Sequence, residues 1–142
     1  MAADVEAVAR SYFDELINKH NLDYIPTLFD PSISFHDPAI VPGGHTEGLT
    51  GVRGFFNLFF TAFPDVNFTI DDIFVADQKA AIRFTWTGTH RATFLGVQLT
   101  ERHVAVPGID IFHIVDGKIA EVRVAFDRLD FLEQLGNISP RL

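Results

Sequence analysis

PGIDIFHIVDGKIAEVRVAF, residues 107–126, decides the fold. Two runs of β-formers, Ile109 to Val115 and Lys118 to Phe126, flank Asp116-Gly117, a dipeptide suited to the left-handed turn of a two-residue hairpin loop. A long antiparallel hairpin follows. With a loop of that length Val115 faces Lys118, His113 faces Ala120 and Asp110 faces Arg123. Strict alternation gives one face Ile109, Ile111, His113, Val115, Ala120, Val122, Val124 and Phe126, and the other Asp110, Phe112, Ile114, Ile119, Glu121, Arg123, Ala125 and Asp127. The first face is expected to wall a core, with His113 as its single polar member. A histidine so placed is either a satisfied core residue or a catalytic one.

Working outward, Val5, Val8, Ala9, Tyr12, Phe13, Leu16 and Ile17 recur at helical spacing, which predicts an amphipathic helix over 3–19. A short helix from Leu22 to Phe29 stops at Asp30-Pro31, and Ile33 to His36 reads as a short strand. Asp37 to Thr50 has two prolines, three glycines and no apolar period, so it is expected to be a loop, with His45 and Glu47 solvated in it. Residues 51–63 predict a third helix whose Phe56, Phe59, Phe60 and Phe63 share a side. Strands follow over Val66 to Val75, Ala80 to Thr89 and Val97 to Val106, then the hairpin, then a helix from Arg128 to Leu135. Helices before long antiparallel strands make an α+β layout, one domain over residues 1–142, with the helices on one side of a curved sheet.

Composition narrows the function. The chain has 19 Asp and Glu against 11 Lys and Arg, a net charge of −8, which opposes nucleic acid and anionic membranes as partners. It has no cysteine for a disulfide or thiol nucleophile. The N-terminus lacks the pattern of a signal peptide and no apolar run is long enough to span a bilayer, so a soluble cytoplasmic protein is expected. Phosphate-loop, dinucleotide, hydrolase-elbow and zincin signatures are absent. The six histidines, at 20, 36, 45, 90, 103 and 113, show no close ligand spacing, and no metal site is expected. Fifteen Phe either fill a core or line a cavity for a large, flat or polycyclic apolar molecule.

Several short motifs, in order, resemble one family: FHDPA (35–39), the glycines at 48 and 51, AFPD (62–65), TGTH (87–90), DGKI followed by Glu121, and Asp127 followed by QLG (134–136). Together they resemble the SnoaL-like polyketide cyclases, a branch of the nuclear-transport-factor-2-like superfamily, over nearly the whole chain. The resemblance implies a cone: a strongly curved antiparallel sheet, with three N-terminal helices and a short C-terminal helix, enclosing an apolar pocket, usually in a homodimer. It implies acid/base ring closure of the aldol type on a large apolar carbonyl compound, without metal or organic cofactor. Relatives with the same cone act as epoxide hydrolases, dehydratases or isomerases, or only bind small molecules or dimerise.

Carried onto this chain, the resemblance puts an acid/base role on Asp127, with His36, His90 and His113 as orienters or proton donors. It puts Phe13, Phe56, Phe59, Phe63, Phe84, Trp86 and Val124 around the substrate. Asp127 reads equally as the N-cap of the last helix, and strict alternation turns it from the apolar face unless a β-bulge lies between Ala120 and Asp127. Many members read Glu-x-Trp-Asp where this chain has 121–124, so Val124 stands where they bear a carboxylate. Asp110 and Arg123 form either a cross-strand ion pair or the water-activating set of an epoxide hydrolase.

Overall fold

The computed structural model describes residues 2–136, and the side chains of 4–136. In chain order come helix α1 (Ala2–Ser11), helix α2 (Ile25–Leu28), strand β1 (Phe29–His36), strand β2 (His45–Glu47), helix α3 (Gly48–Ala62), strands β3 (Asn67–Ala76), β4 (Lys79–Thr89), β5 (His103–Val115) and β6 (Lys118–Phe126), and helix α4 (Arg128–Gln134). The strands make one curved, unclosed sheet in the order β2-β1-β6-β5-β4-β3. Its neighbours are antiparallel except β1 and β6, which run parallel. The sheet is therefore mixed, where a wholly antiparallel one was expected.

The hairpin forms around Asp116 and Gly117, whose φ values of 50° and 77° are the paired positive angles of a type I′ turn. Val115 faces Lys118 and Ile114 faces Ile119, but the next pair is His113 with Glu121. One extra residue, Ala120, is thus inserted into β6. Beyond this bulge Ile111 faces Arg123 and Asp110 faces Val124. Because the side-chain period is two, a one-residue shift puts opposite sets of the two strands on a common face.

The face expected to wall the core is corrected accordingly. Val122 and Val124 of β6 do point inward, but their companions on β5 are Asp110, Phe112 and Ile114. Ile109, Ile111 and Val115 are exposed on the outer face, with His113 half-buried beside them. The two alternating sets of β5 are nearly equal in hydrophobicity, so the pattern alone could not choose between them. The ring of Phe112 tips the balance, packed against Tyr12 at 4.8 Å and Phe13 at 6.1 Å between ring centres.

Two other expectations change. Val97 to Val106 and Ile109 to Val115 belong to one continuous strand running through Pro107. β6 ends at Phe126 opposite Gly108, so the proline lies where β5 is paired on one side only and no ladder bond is lost there. The segment from 37 to 50 holds a 3₁₀ turn at Pro42–Gly44 and β2, whose His45 pairs with His36 of β1.

The first helix begins as read and then loosens. Residues Tyr12–Ile17 form a π-helical turn, with the Asn18 N–H donating to the Phe13 carbonyl and the Asn21 N–H to the Leu16 carbonyl, both at 2.9 Å. The wider turn lets Tyr12, Phe13, Leu16 and Ile17 all face the sheet. Aromatic rings fill the space between: Phe59 and Phe63 of the α3 end each meet Trp86 edge-on at 5.1 Å, and Phe131 of α4 closes that end at 5.7 Å from Trp86. Side-chain amides fasten helices to strands. Asn18 bonds both backbone groups of Phe68 at 2.9 and 2.7 Å, and Gln134 those of Ala105 at 2.9 Å each.

Gly108 shows how closely the inner face is filled, since a Cβ there would lie 2.6 Å from Phe84 Cζ and 3.0 Å from Phe126 Cβ. Gly108→Ala is expected to lower stability by about 1–3 kcal/mol through overpacking, measured by urea unfolding. An unchanged midpoint would contradict the packing described.

Candidate active site

Among the described residues two acidic side chains are buried. Asp110 lies in a row between Ile82 of β4 and Val124 of β6, 1% exposed. Neither of its carboxyl oxygens has a hydrogen-bond partner among the described residues. Asp37 follows β1 and is 2% exposed. Its Oδ1 accepts the N–H groups of Ala39 and Ile40 at 3.1 and 3.2 Å, the turn that an Asp-Pro sequence favours.

These environments set the two carboxyls apart. Burial pushes the Asp110 carboxyl well above the usual carboxylate range, and the charge of Asp37 adds to this. Burial also raises Asp37, but the two N–H donors hold it to about 6. Near neutral pH Asp37, at about 6, is mostly ionised, whereas burial biases the Asp110 carboxyl toward its protonated form. Tyr12, at the start of the π turn, is raised by burial and then by Asp110 and Asp37. It completes a cluster of three proton-carrying groups.

The cluster lies on a small cavity whose wall includes Tyr12, Asp37, Phe55, Phe56, Phe59, Phe84, Trp86, Asp110 and Val124. About 20 Å³ is left for the centre of a water molecule. That holds one or two waters at roughly 10–15 Å³ each, far below the roughly 300 Å³ at which drug-sized pockets begin. The expected space for a large ring system is therefore closed in this conformation. The phenylalanines fill most of it.

Of the aromatic and apolar residues expected around a substrate, Phe56, Phe59, Phe84, Trp86 and Val124 line this cavity. Phe13 lies behind it against Phe84 and Phe112, and Phe63 lies toward Phe94 and Phe131.

The four residues expected to carry catalysis are not brought together. Asp127 is exposed at the N-cap of α4, where its Oδ1 accepts the Asp130 N–H at 3.0 Å. A bulge is present at Ala120, but it goes with Asp110 facing inward and leaves Asp127 exposed. His36 is on the outer face, its ring stacked on His45 at 4.4 Å, with Ser34 Oγ 2.8 Å from its Nε2. Burial lowers its pKa, and Arg123 and His45 push the same way. His113 also faces outward, opposite Lys79 and Glu121.

His90 is fully buried but apart from the cavity, stacked on Phe63 at 5.4 Å. The Thr100 N–H donates to its Nδ1 at 3.2 Å, so the ring is the neutral tautomer with its proton on Nε2. Burial lowers its pKa, with the Ala92 backbone opposing.

The expected pairing of Asp110 with Arg123 does not form, because the bulge puts Arg123 on the outer face, 3.3 Å from Glu121. Sequence reading weighed Asp110 only with that arginine, and it did not single out Asp37 or Tyr12. Asp37 lay in view inside FHDPA, where an Asp-Pro between an apolar strand and Ala-Ile-Val has an apolar neighbourhood on both sides. Among the described residues no cluster of three or more His, Asp or Glu could hold a metal ion, and no helix is long and apolar enough to cross a membrane.

Solved structures share this architecture along almost their whole length. TsrD from Streptomyces laurentii is 26% identical with a TM-score of 0.84, covering 97% of this chain and 98% of that one. IdmH from Streptomyces antibioticus is 26% identical with a TM-score of 0.79, covering 93% and 98%. A SnoaL-like polyketide cyclase from Agrobacterium tumefaciens is 22% identical with a TM-score of 0.77, covering 93% and 98%, a likeness of fold alone. The architecture is the nuclear-transport-factor-2-like cone. No curated protein is similar enough in sequence to count as a match. The family model of the SnoaL-like polyketide cyclases matches residues 7–135, and the chain belongs to the SnoaL-like polyketide cyclase family.

Proposed function

We propose that the protein is a cofactor-independent acid/base enzyme that closes a ring in an apolar carbonyl compound by an aldol-type step, with Asp37 as base and Asp110 as acid. The observation that carries this is the Asp110 carboxyl, buried on an apolar wall with neither oxygen hydrogen-bonded. A group so placed is a proton donor in waiting. Asp37 takes the proton from the carbon next to one carbonyl. The enolate carbon then attacks a second carbonyl carbon, one carbon–carbon bond forms as a C=O π bond opens, and Asp110 gives its proton to the new alkoxide. In the first step the Asp110 proton and the Tyr12 hydroxyl hydrogen-bond the oxygen of the carbonyl beside the carbon that loses its proton, which stabilises the enolate. The product is an isomer of the substrate, and solvent returns the proton from Asp37 to Asp110.

Family membership supports the reading in a second way. Many members have a carboxylate where this chain has Val124, and Asp110 is the register partner of Val124, so the acid here comes from the neighbouring strand at the same level of the sheet. The protein acts as a homodimer through the outer face of the sheet, where Phe74 of β3 and Ile109 and Ile111 of β5 are 69%, 47% and 46% exposed on either side of β4.

Proton abstraction is tested without the natural substrate by following deuterium exchange next to the carbonyl of an apolar methyl ketone in D₂O by NMR. The protein is expected to accelerate exchange, and Asp37→Asn and Asp110→Asn to slow it by at least about 10²-fold while remaining folded. Exchange no faster than in buffer would contradict the proposal. The rate should rise through about pH 6 as Asp37 ionises, and fall where Asp110 loses its proton. With the natural substrate, oxygen from labelled water in the product would point to epoxide hydrolysis instead.

Asp37 also ties stability to pH. Its folded pKa of about 6 lies above the ordinary 3.8, so the folded state holds the proton more tightly. Its contribution is full below about pH 4 and falls by about 3 kcal/mol as pH rises through 6. Urea unfolding across this range should show a shallower decline in Asp37→Asn. Analytical ultracentrifugation is expected to give a dimer for the native chain and a monomer for Ile109→Glu; a monomeric native chain would remove the dimer.

A further inference from the structure

A second hollow lies just outside the acid cavity, between the segment from Val41 to Thr46 and helix α3. It has about 240 Å³ of space, and its walls include Val41, Pro42, Thr46, Gly51, Gly54 and Leu58. Phe55 belongs to both hollows, and Ile40 and Val41 are consecutive residues facing one each. One ring and one loop residue thus separate an open apolar groove from the carboxyl pair.

The glycines of α3 differ in what they are needed for. At Gly51 a Cβ would overlap Thr46 Oγ1, so glycine lets β2 lie against the helix without displacing that side chain. At Gly54 a Cβ would meet nothing within 4 Å. Glycine inside a helix weakens it relative to alanine, and no packing at position 54 calls for it. What its missing side chain provides is the open floor of the groove.

We propose that this groove seats the non-reacting apolar portion of the substrate, whose carbonyl end enters the acid cavity past a displaced Phe55 ring. This rests on the acid/base reading of Asp37 and Asp110. The inner cavity admits only one or two waters, so an apolar carbonyl compound that reacts at Asp110 must extend through a wall. The wall shared with the groove is one side chain thick at Phe55. The loop behind it turns at Gly43 and Gly44, whose φ values of 77° and 81° glycine adopts without strain. The groove has no carboxylate, lysine or arginine among its lining residues; the His45 imidazole stands at its rim, and Val41, Pro42, Phe55 and Leu58 give an apolar portion its contacts.

The test uses Gly54, since removing the Phe55 ring opens a core cavity and endangers folding. The probe is 6-propionyl-2-dimethylaminonaphthalene, a neutral aromatic ketone whose fluorescence reports an apolar site. The native protein and Gly54→Ala are expected to bind it alike, with Gly54→Ala melting higher. Gly54→Phe, which fills the groove, is expected to bind it at least tenfold more weakly while melting no lower than the native chain. No binding by the native chain, or equal binding by folded Gly54→Phe, would overturn the groove. A parallel arm with Asp110→Asn separates the two readings: normal ketone exchange in that variant would sink the acid/base assignment, whereas the Gly54 series would still decide the groove.

Discussion

An ionised carboxylate among aromatic rings, with no donor to replace water, loses far more in solvation than the fold could recover from its neighbours, so such a group keeps its proton instead. Asp110 is in this position, and much of the surrounding structure exists to put it there. The Ala120 bulge turns the inner set of β5 toward the core. Phe112 and Ile114 anchor that set, and Val124 opposite leaves the carboxyl without a polar neighbour on its own ladder. Asp37 is just as buried, yet the turn it starts supplies two N–H donors. Two carboxyls of the same chemical type thereby meet different environments, and the proposed acid/base roles rest on that difference.

Most residues that mark the family hold the cone rather than perform chemistry. Asp65 of AFPD accepts the backbone N–H and the hydroxyl of Thr89 from TGTH, at 2.6 and 2.7 Å, and so ties the end of α3 to the end of β4. Asp127 caps α4, and Gln134 of QLG fastens that helix to β5 through Ala105. The turn of DGKI sets the hairpin. Within these motifs Phe35 and Asp37 of FHDPA line the cavity, and Asp37 is the titratable one of the two. A motif match therefore identifies the fold with more force than it identifies the reaction.

The same division explains what could be read from the residues. Helical spacing from Val5 to Ile17, the Phe stripe of α3 and Asp116-Gly117 each have a local physical cause, and each formed its element close to the expected place. The bulge at Ala120 has no local signature, because Ile119-Ala120-Glu121 reads as ordinary strand. Missing it exchanged the faces of β5, turned His113 outward and broke the pairing of Asp110 with Arg123. Tyr12 was placed on an apolar stripe, but its nearness to two carboxyls is a tertiary fact. The size of the cavity was also out of reach, since ring counts give volume to be filled and not the volume left over.

The central claim is the neutral state of Asp110, and infrared spectroscopy observes it directly. At neutral pH the native protein should show the carbonyl stretch of a protonated carboxylic acid, and Asp110→Asn should lack it. If that band is absent from the native protein, or survives the substitution unchanged, the Asp110 carboxyl is not the held proton on which this account is built.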